Sequence, residues 1–218
     1  EQIVLAEEFL LLVRPTIPDN VPREVVEIRK QFSFLHNVPL QAGLEGYLFP
    51  DTYNIQPEMD AQEIVVMFLK NFEERAVLNI QEISQSESRS LFEIIILASL
   101  LEEEVQTRED KEIVAGILQR RLEHGMPLEI DATVLYGLRD RKQSEISVND
   151  LQTHSPYNTY SFDGFPVGPI TNPGLESILA VISPRRSEYW YYLSGSDGVT
   201  HYSRTLEEHN IKKVKYLR

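Results

Sequence analysis

The stretch "SLFEIIILASLLEEE", Ser90 to Glu104, limits what this chain can fold into more than any other. From Leu91 to Leu101 it is apolar on nearly every side of a helix, and such a helix is stable only when other elements surround it. A chain of 218 residues with 42% hydrophobic content can build that surround, as one large domain or two small ones. Ser90 and Glu93 form a capping box that fixes the helix start. The other end runs straight into Glu102, Glu103 and Glu104. Either the helix surfaces into water there, the commoner fate of such a triplet, or one carboxyl is drawn into a partly buried site. Helical spacing puts Glu104 above Leu97, Leu100 and Leu101, continuing an apolar stripe. A carboxyl facing an apolar cleft has its charged form disfavoured and its pKa raised, as a general acid near neutral pH requires. Negative charge at a helix C-terminus opposes the macrodipole, a cost that hints at a use.

Around this helix the signals alternate irregularly and predict an α+β fold: a helical domain with a buried central helix, short strands and a C-terminal β-hairpin. Residues 1–14 read as a strand leaving into the Pro-punctuated turn of "FLLLVRPTIPDNVP", and "PREVVEIRKQFSFL" as a helix. "GLEGYLFPDTYNI" reads as two short strands or an ordered loop. An amphipathic helix is expected from Asp60 to about Leu78, a polar loop or frayed end over 81–90, and a helix capped by Thr107 and stopped near Gly125. "EIDATVLYGL" is a short strand or helix, 139–151 a polar loop, and "HSPYNTYSFDGFPVGPITNPG" an ordered irregular loop. "LESILAVIS" is a short helix, "YWYYLSGSDGVTHYS" a hairpin, and "TLEEHNIKKVKYL" a helix capped by Thr205.

Several chemistries are disfavoured. The net charge of −13 repels a phosphate backbone, so nucleic acid is not an expected partner, and the basic tail "IKKVKYLR" reads as a solvated helix end rather than a binding patch. Without cysteine there is no disulfide, thiolate metal site or Cys nucleophile. His36, His124, His154, His201 and His209 show no metal-ligand spacing, and neither GxSxG nor a Gly-rich phosphate loop occurs. No metal or cofactor is expected. No apolar run approaches the ~20 residues of a membrane span. Starting at Glu1, the chain reads as an excised fragment, and any anchor or signal is expected upstream. Asp131 offers a second carboxylate for a paired glycosidase arrangement. "SPYNTY" offers aromatic faces and an amide suited to sugars, although such a loop is more often simply a packed surface loop.

Five stretches in order, "LEGYLFPDTYNI", "LASLLEEEV", "REDKEIVAGILQRRLEHGMPLEIDATVLYG", "SPYNTYSFDGFPVGPITNPG" and "YWYYLSGSDGVTHYSRTLEEHN", closely resemble the endolytic murein transglycosylase family, also called YceG-like or MltG. The likeness runs from about Leu44 to Asn210; residues 1–40 match loosely. It implies a catalytic domain over 41–218, entered through a strand, turn and helix in 1–40 left after a missing LysM-like subdomain. It also implies a lytic transglycosylase that cleaves MurNAc–GlcNAc bonds within glycan strands, leaving anhydro-MurNAc ends and limiting strand length during cell-wall synthesis. The implied place is the extracytoplasmic face of the bacterial cytoplasmic membrane, with a single-pass anchor in the full-length protein. The implied partners are peptidoglycan strands and cell-wall synthases.

The family pattern Ala-Ser-apolar-apolar-Glu-x-Glu falls on Ala98 to Glu104 and implies Glu104 as the catalytic residue, with Glu102 as the fallback register. Glu45, Tyr157, Asn158, Thr159, Tyr160 and Asn172 are implied to bind the glycan. Departures from the family are Arg120 where Asn is common, Ala132 where Pro is usual, and Pro166–Val167 in place of a double Pro. The rival expectations are a non-catalytic peptidoglycan-binding module and a muramidase-type hydrolase using Asp131 to activate water.

Overall fold

The computed structural model describes residues 2–15, 20–83, 89–138 and 146–217. The central helix is α5, Leu91–Glu104, and every residue from Ile94 to Leu101 is buried. Its capping box is formed, with Ser90 Oγ accepting from the Glu93 amide and Glu93 reaching back to Ser90. Preceding it are α1 (Gln2–Val13), α2 (Arg23–Lys30), α3 (Ala61–Phe72) and α4 (Leu78–Ile83). A π-helical turn over Glu73–Val77 joins α3 to α4, so the helix expected to stop near Leu78 runs further. After α5 come α6 (Arg108–Glu123), α7 (Asp131–Gly137) and α8 (Leu175–Ile182). The chain then forms β1 (Tyr191–Ser194), β2 (Thr200–Ser203) and α9 (Leu206–Tyr216).

Helices α6 and α8 pack on α5, and α1 packs on α3, in one apolar core that joins Leu12 and Val25 to Ile178 and Val181. The only strands among the described residues form the antiparallel hairpin, with Tyr191 opposite Ser203 and Ser194 opposite Thr200. Helix α9 covers the hairpin.

One expectation changes and one open alternative resolves. Residues 2–13 are helical rather than extended. A short apolar run without alternation fits either state, and here packing decides: Phe9 meets Phe68 of α3 at 6.0 Å between ring centroids. "GLEGYLFPDTYNI" is the ordered loop, not the strands. Tyr47 and Phe49 are buried in it, and Gly46 (φ 91°) presses on α5 and the later loop. A Cβ at Gly46 would lie 2.6 Å from Pro169 and 2.7 Å from Ile95, so a side chain is excluded there. Parts of the loops expected over 81–90 and 139–151 lie outside the described residues.

Candidate active site

Residues two apart on a helix project ~200° apart. Glu102 and Glu104 therefore leave the end of α5 on opposite sides. Glu102 turns toward α6 and α8, where Oε2 accepts from Ser177 Oγ (2.5 Å), Lys111 Nζ (3.2 Å) and the Gly174 amide (3.3 Å). Burial alone would raise its pKa, but the hydroxyl, the ammonium and the amide together outweigh burial and hold it below the usual carboxylate range.

Glu104 turns the other way, into a cleft of about 450 Å³ between the end of α5, the start of α7, the hairpin and α9. Burial is the main reason its pKa is pushed up to about 7. The hydroxyl of Tyr192, which donates to Oε2 at 3.0 Å, pulls it down; the charges of Asp131 and Glu103 push it further up. Burial and Glu104 itself raise the Tyr192 hydroxyl far above its ordinary value, so it stays a donor. Strand alternation sends Tyr192 and Ser194 to one face, and Ser194 Oγ donates to the Glu104 carbonyl at 3.2 Å, capping the end of α5.

Asp131, the first residue of α7, lines the same cleft and accepts from Tyr160 Oη at 2.5 Å. Tyr160 is the residue of "SPYNTY" that reaches the cleft. Asn158 and Thr159, implied as glycan contacts, have no exposed surface. Asn158 Nδ2 donates to the carbonyls of Leu151 (3.0 Å) and Thr153 (2.8 Å), while its Oδ1 accepts from the Tyr160 amide (3.0 Å). Thr159 Oγ1 accepts from the Ile130 amide at 3.0 Å and meets Thr133 Oγ1 at 3.0 Å. Both hold the loop against α7 from beneath; neither faces the cleft.

Tyr157, Glu45 and Asn172 stand apart from Glu104. Tyr157 packs on Tyr136 of α7 at 4.6 Å between ring centroids, and Tyr136 Oη donates to Glu45 Oε2. Asn172 Oδ1 accepts from the amides of Gly46 (2.7 Å) and Leu48 (3.1 Å), so its amide oxygen ties two loops together. The buried Ser99 anchors the longer loop to α5, donating to the Ile96 carbonyl and accepting from the Ile170 amide at 3.1 Å.

Arg121 and Glu129 were not expected in the cleft. Arg121 donates to the carbonyls of Trp190 (2.9 Å), Pro127 (3.2 Å) and Leu128 (2.9 Å) and pairs with Glu129 at 3.1 Å. Glu129 is the only described non-glycine residue with positive φ, at 55°. This backbone, sparsely populated by side-chain-bearing residues, leads directly into Asp131. Among the described residues no group of three His, Asp or Glu side chains could hold a metal ion.

A cleft in which one carboxyl, Glu104, has its pKa raised to about 7 beside Asp131 can protonate a leaving oxygen and then take a proton back. The profile of the YceG-like family matches residues 13–215. The chain belongs to the YceG-like family. It is 33% identical over 212 residues to the "Endolytic murein transglycosylase" of Bacillus subtilis (strain 168), covering 97% of this chain and 56% of that protein. It is 30% identical over 179 residues to the protein of the same name from Streptococcus pneumoniae (strain ATCC BAA-255 / R6), covering 80% of this chain and 32% of that protein. The chain thus spans about half the length of the first relative and about a third of the second. A crystal structure of a yceG-like protein from Listeria monocytogenes superposes with a TM-score of 0.82 at 30% identity, over 95% of this chain and 67% of that one.

Proposed function

We propose that this YceG-like chain carries the catalytic region of a peptidoglycan lytic transglycosylase, with Glu104 as both acid and base. The observation that carries the reading is the Glu104 carboxyl, set in a cleft and held near pKa 7 beside Tyr192 and Asp131. A pKa near the working pH lets one carboxyl give up and take back a proton in a single cycle.

In the first half-reaction Glu104 gives its proton to the glycosidic oxygen and the C1–O bond of the MurNAc unit breaks. The substrate's own N-acetyl group steadies the oxocarbenium-like centre, in place of a protein nucleophile. In the second half the ionised Glu104 takes the proton of the C6 hydroxyl as that oxygen bonds to C1. The product carries an anhydro ring, no water is consumed, and the carboxyl is again protonated. Tyr192 fixes the carboxylate oxygen between the two steps, and Asp131 disfavours lasting ionisation of Glu104.

The strand path runs from Tyr160 and Asp131 along α7 toward Tyr136, Tyr157 and Glu45. Asn172 shapes that end of the path, while Asn158 and Thr159 support it from below. We assign catalysis to residues 41–218, with 1–40 as the segment that leads in. By the chemistry of its substrate the enzyme acts on the extracytoplasmic face of the cytoplasmic membrane, anchored through a segment outside this sequence and working beside cell-wall synthases. Among the described residues no helix is long and apolar enough to cross a membrane.

The test is digestion of purified sacculi with product mass spectrometry. The parent should release anhydro-muramyl ends, and Glu104→Gln should lower that release about 10³-fold or more while circular dichroism is unchanged. Reducing ends in the parental digest, or parental turnover by the variant, would refute the assignment.

A further inference from the structure

Helix α9 forms one wall of the cleft and has no part in the scheme above. Leu206, His209 and Lys213 line the cleft from it, joined by Leu217 just past its end. The rest of the lining is strongly anionic: Glu103, Glu104, Glu129 and Asp131. Of the two basic residues opposite them, Arg121 is already engaged by three carbonyls and Glu129. The Lys213 side chain is exposed and, among the described residues, its ammonium makes no hydrogen bond or ion pair. One turn earlier, His209 is 9% exposed and its Nδ1 has no partner. Outward from the cleft, Ile211 and Val214 leave further apolar surface open at 63% and 58%.

Neutral sugar rings give an unpaired ammonium little to bind, and they do not require leucines on both sides of it. A carboxylate on an aliphatic stem requires both. In a molecule of net charge −13, a single cation at this wall is also what offsets local repulsion of an acidic ligand, within the ~8 Å over which charge is felt at physiological salt. We propose that the α9 wall receives the carboxylate-bearing stem peptides of the murein strand. Lys213 pairs with a peptide carboxylate, and Leu206 and Leu217 pack on the peptide's aliphatic side chains. The inference rests on the reading that the cleft takes a murein strand, and it gives the basic tail of the chain a role in binding.

The experiment uses the Glu104→Gln protein, so that ligands survive, and titration calorimetry with three oligosaccharides of equal length. One bears stem peptides, one has had them removed by an amidase to leave the lactyl carboxylate, and one is a neutral chitooligosaccharide. The peptide-bearing strand should bind about fivefold more tightly than the peptide-free strand. That ratio should fall toward one with added Lys213→Glu or Lys213→Gln and should be kept by Lys213→Arg. A ratio unaffected by Lys213→Glu overturns the proposal while leaving the murein reading standing. So does a Lys213 dependence confined to peptide-free strand against chitooligosaccharide, which would make the lactyl carboxylate the ligand. Absence of binding to all three overturns the murein reading, and this proposal with it.

Discussion

The two sides of the end of α5 take the same functional group and put it to opposite uses. On the α6–α8 side, Glu102 meets an ammonium, a hydroxyl and an amide, and it is held ionised. On the cleft side, Glu104 meets one phenol and two like charges and is left about half-protonated at pH 7. Intervening sequence does not cause the contrast; the number of donors aimed at each carboxylate does. A site of this kind needs both: a rigid helix end, secured by Glu102, and a carboxyl on it that lacks enough partners to stay charged.

Glu102 is where disturbing this contrast costs most. Lys111 is 6% exposed, so Glu102→Ala strands a buried ammonium, and urea unfolding at pH 7 should show a loss of about 3 to 5 kcal/mol. Because the folded-state pKa of Glu102 is lowered, its contribution is present above the ordinary carboxylate range and fades as pH falls through the folded value. The parent and Glu102→Ala should therefore converge in acid. Lys111→Met added to Glu102→Ala should recover part of the loss. Equal stability of Glu102→Ala and parent at pH 7 would mean that the ion pair secures nothing.

Much of this frame is legible in the sequence, for local reasons. The side chains of Asp60, Ser90, Thr107 and Thr205 each accept from an amide three residues on, an interaction confined to a four-residue window. Helix α5 is legible because it lacks a polar face. Helix α1 is not, since a short apolar run carries no period and its contact with Phe68 lies far along the chain. The same limit governs the site. Helical spacing points to Glu104, but the phenol that holds it comes from 88 residues away. Tyr192 is visible in sequence only as one aromatic among several in a strand. "SPYNTY" reads as a sugar-facing loop, yet an Asn that faces solvent and one that ties carbonyls beneath a loop are the same letter. Only the fold separates Tyr160, in the cleft, from Asn158 and Thr159, which have no exposed surface.

Glu104 should show the reverse of Glu102 in stability, with a smaller magnitude. Its pKa rises from 4.5 to about 7 on folding, so between those values the folded state binds more proton than the unfolded one. Stability from this group is full below pH 4.5 and is lost as pH rises to about 7. Glu104→Gln removes that loss and keeps an acceptor for Tyr192. It should match the parent near pH 4 and exceed it by about 2 to 3 kcal/mol at pH 8, measured by urea unfolding at both values. A variant less stable than the parent at pH 8 would show that the carboxylate is well solvated, and the site would lose its tuning.

The finest distinction separates the two neighbours of Glu104, which pull in opposite directions. Tyr192 lowers the Glu104 pKa by donating to the carboxylate, so Tyr192→Phe should raise it. Asp131 raises that pKa by like-charge repulsion, so Asp131→Asn should lower it. In the pH dependence of kcat/KM on sacculi, the high-pH limb reports loss of the acid from the free enzyme. That limb should move up in Tyr192→Phe and down in Asp131→Asn, each by about one unit or less, since each variant removes a single neighbour. The double variant should return the limb toward the parental position while remaining slower, because a hydrogen bond and a charge are not interchangeable supports for a transition state. Shifts of the same sign in both single variants would locate the limb on another group. Glu104 would then share the cleft with the titrating residue without being it.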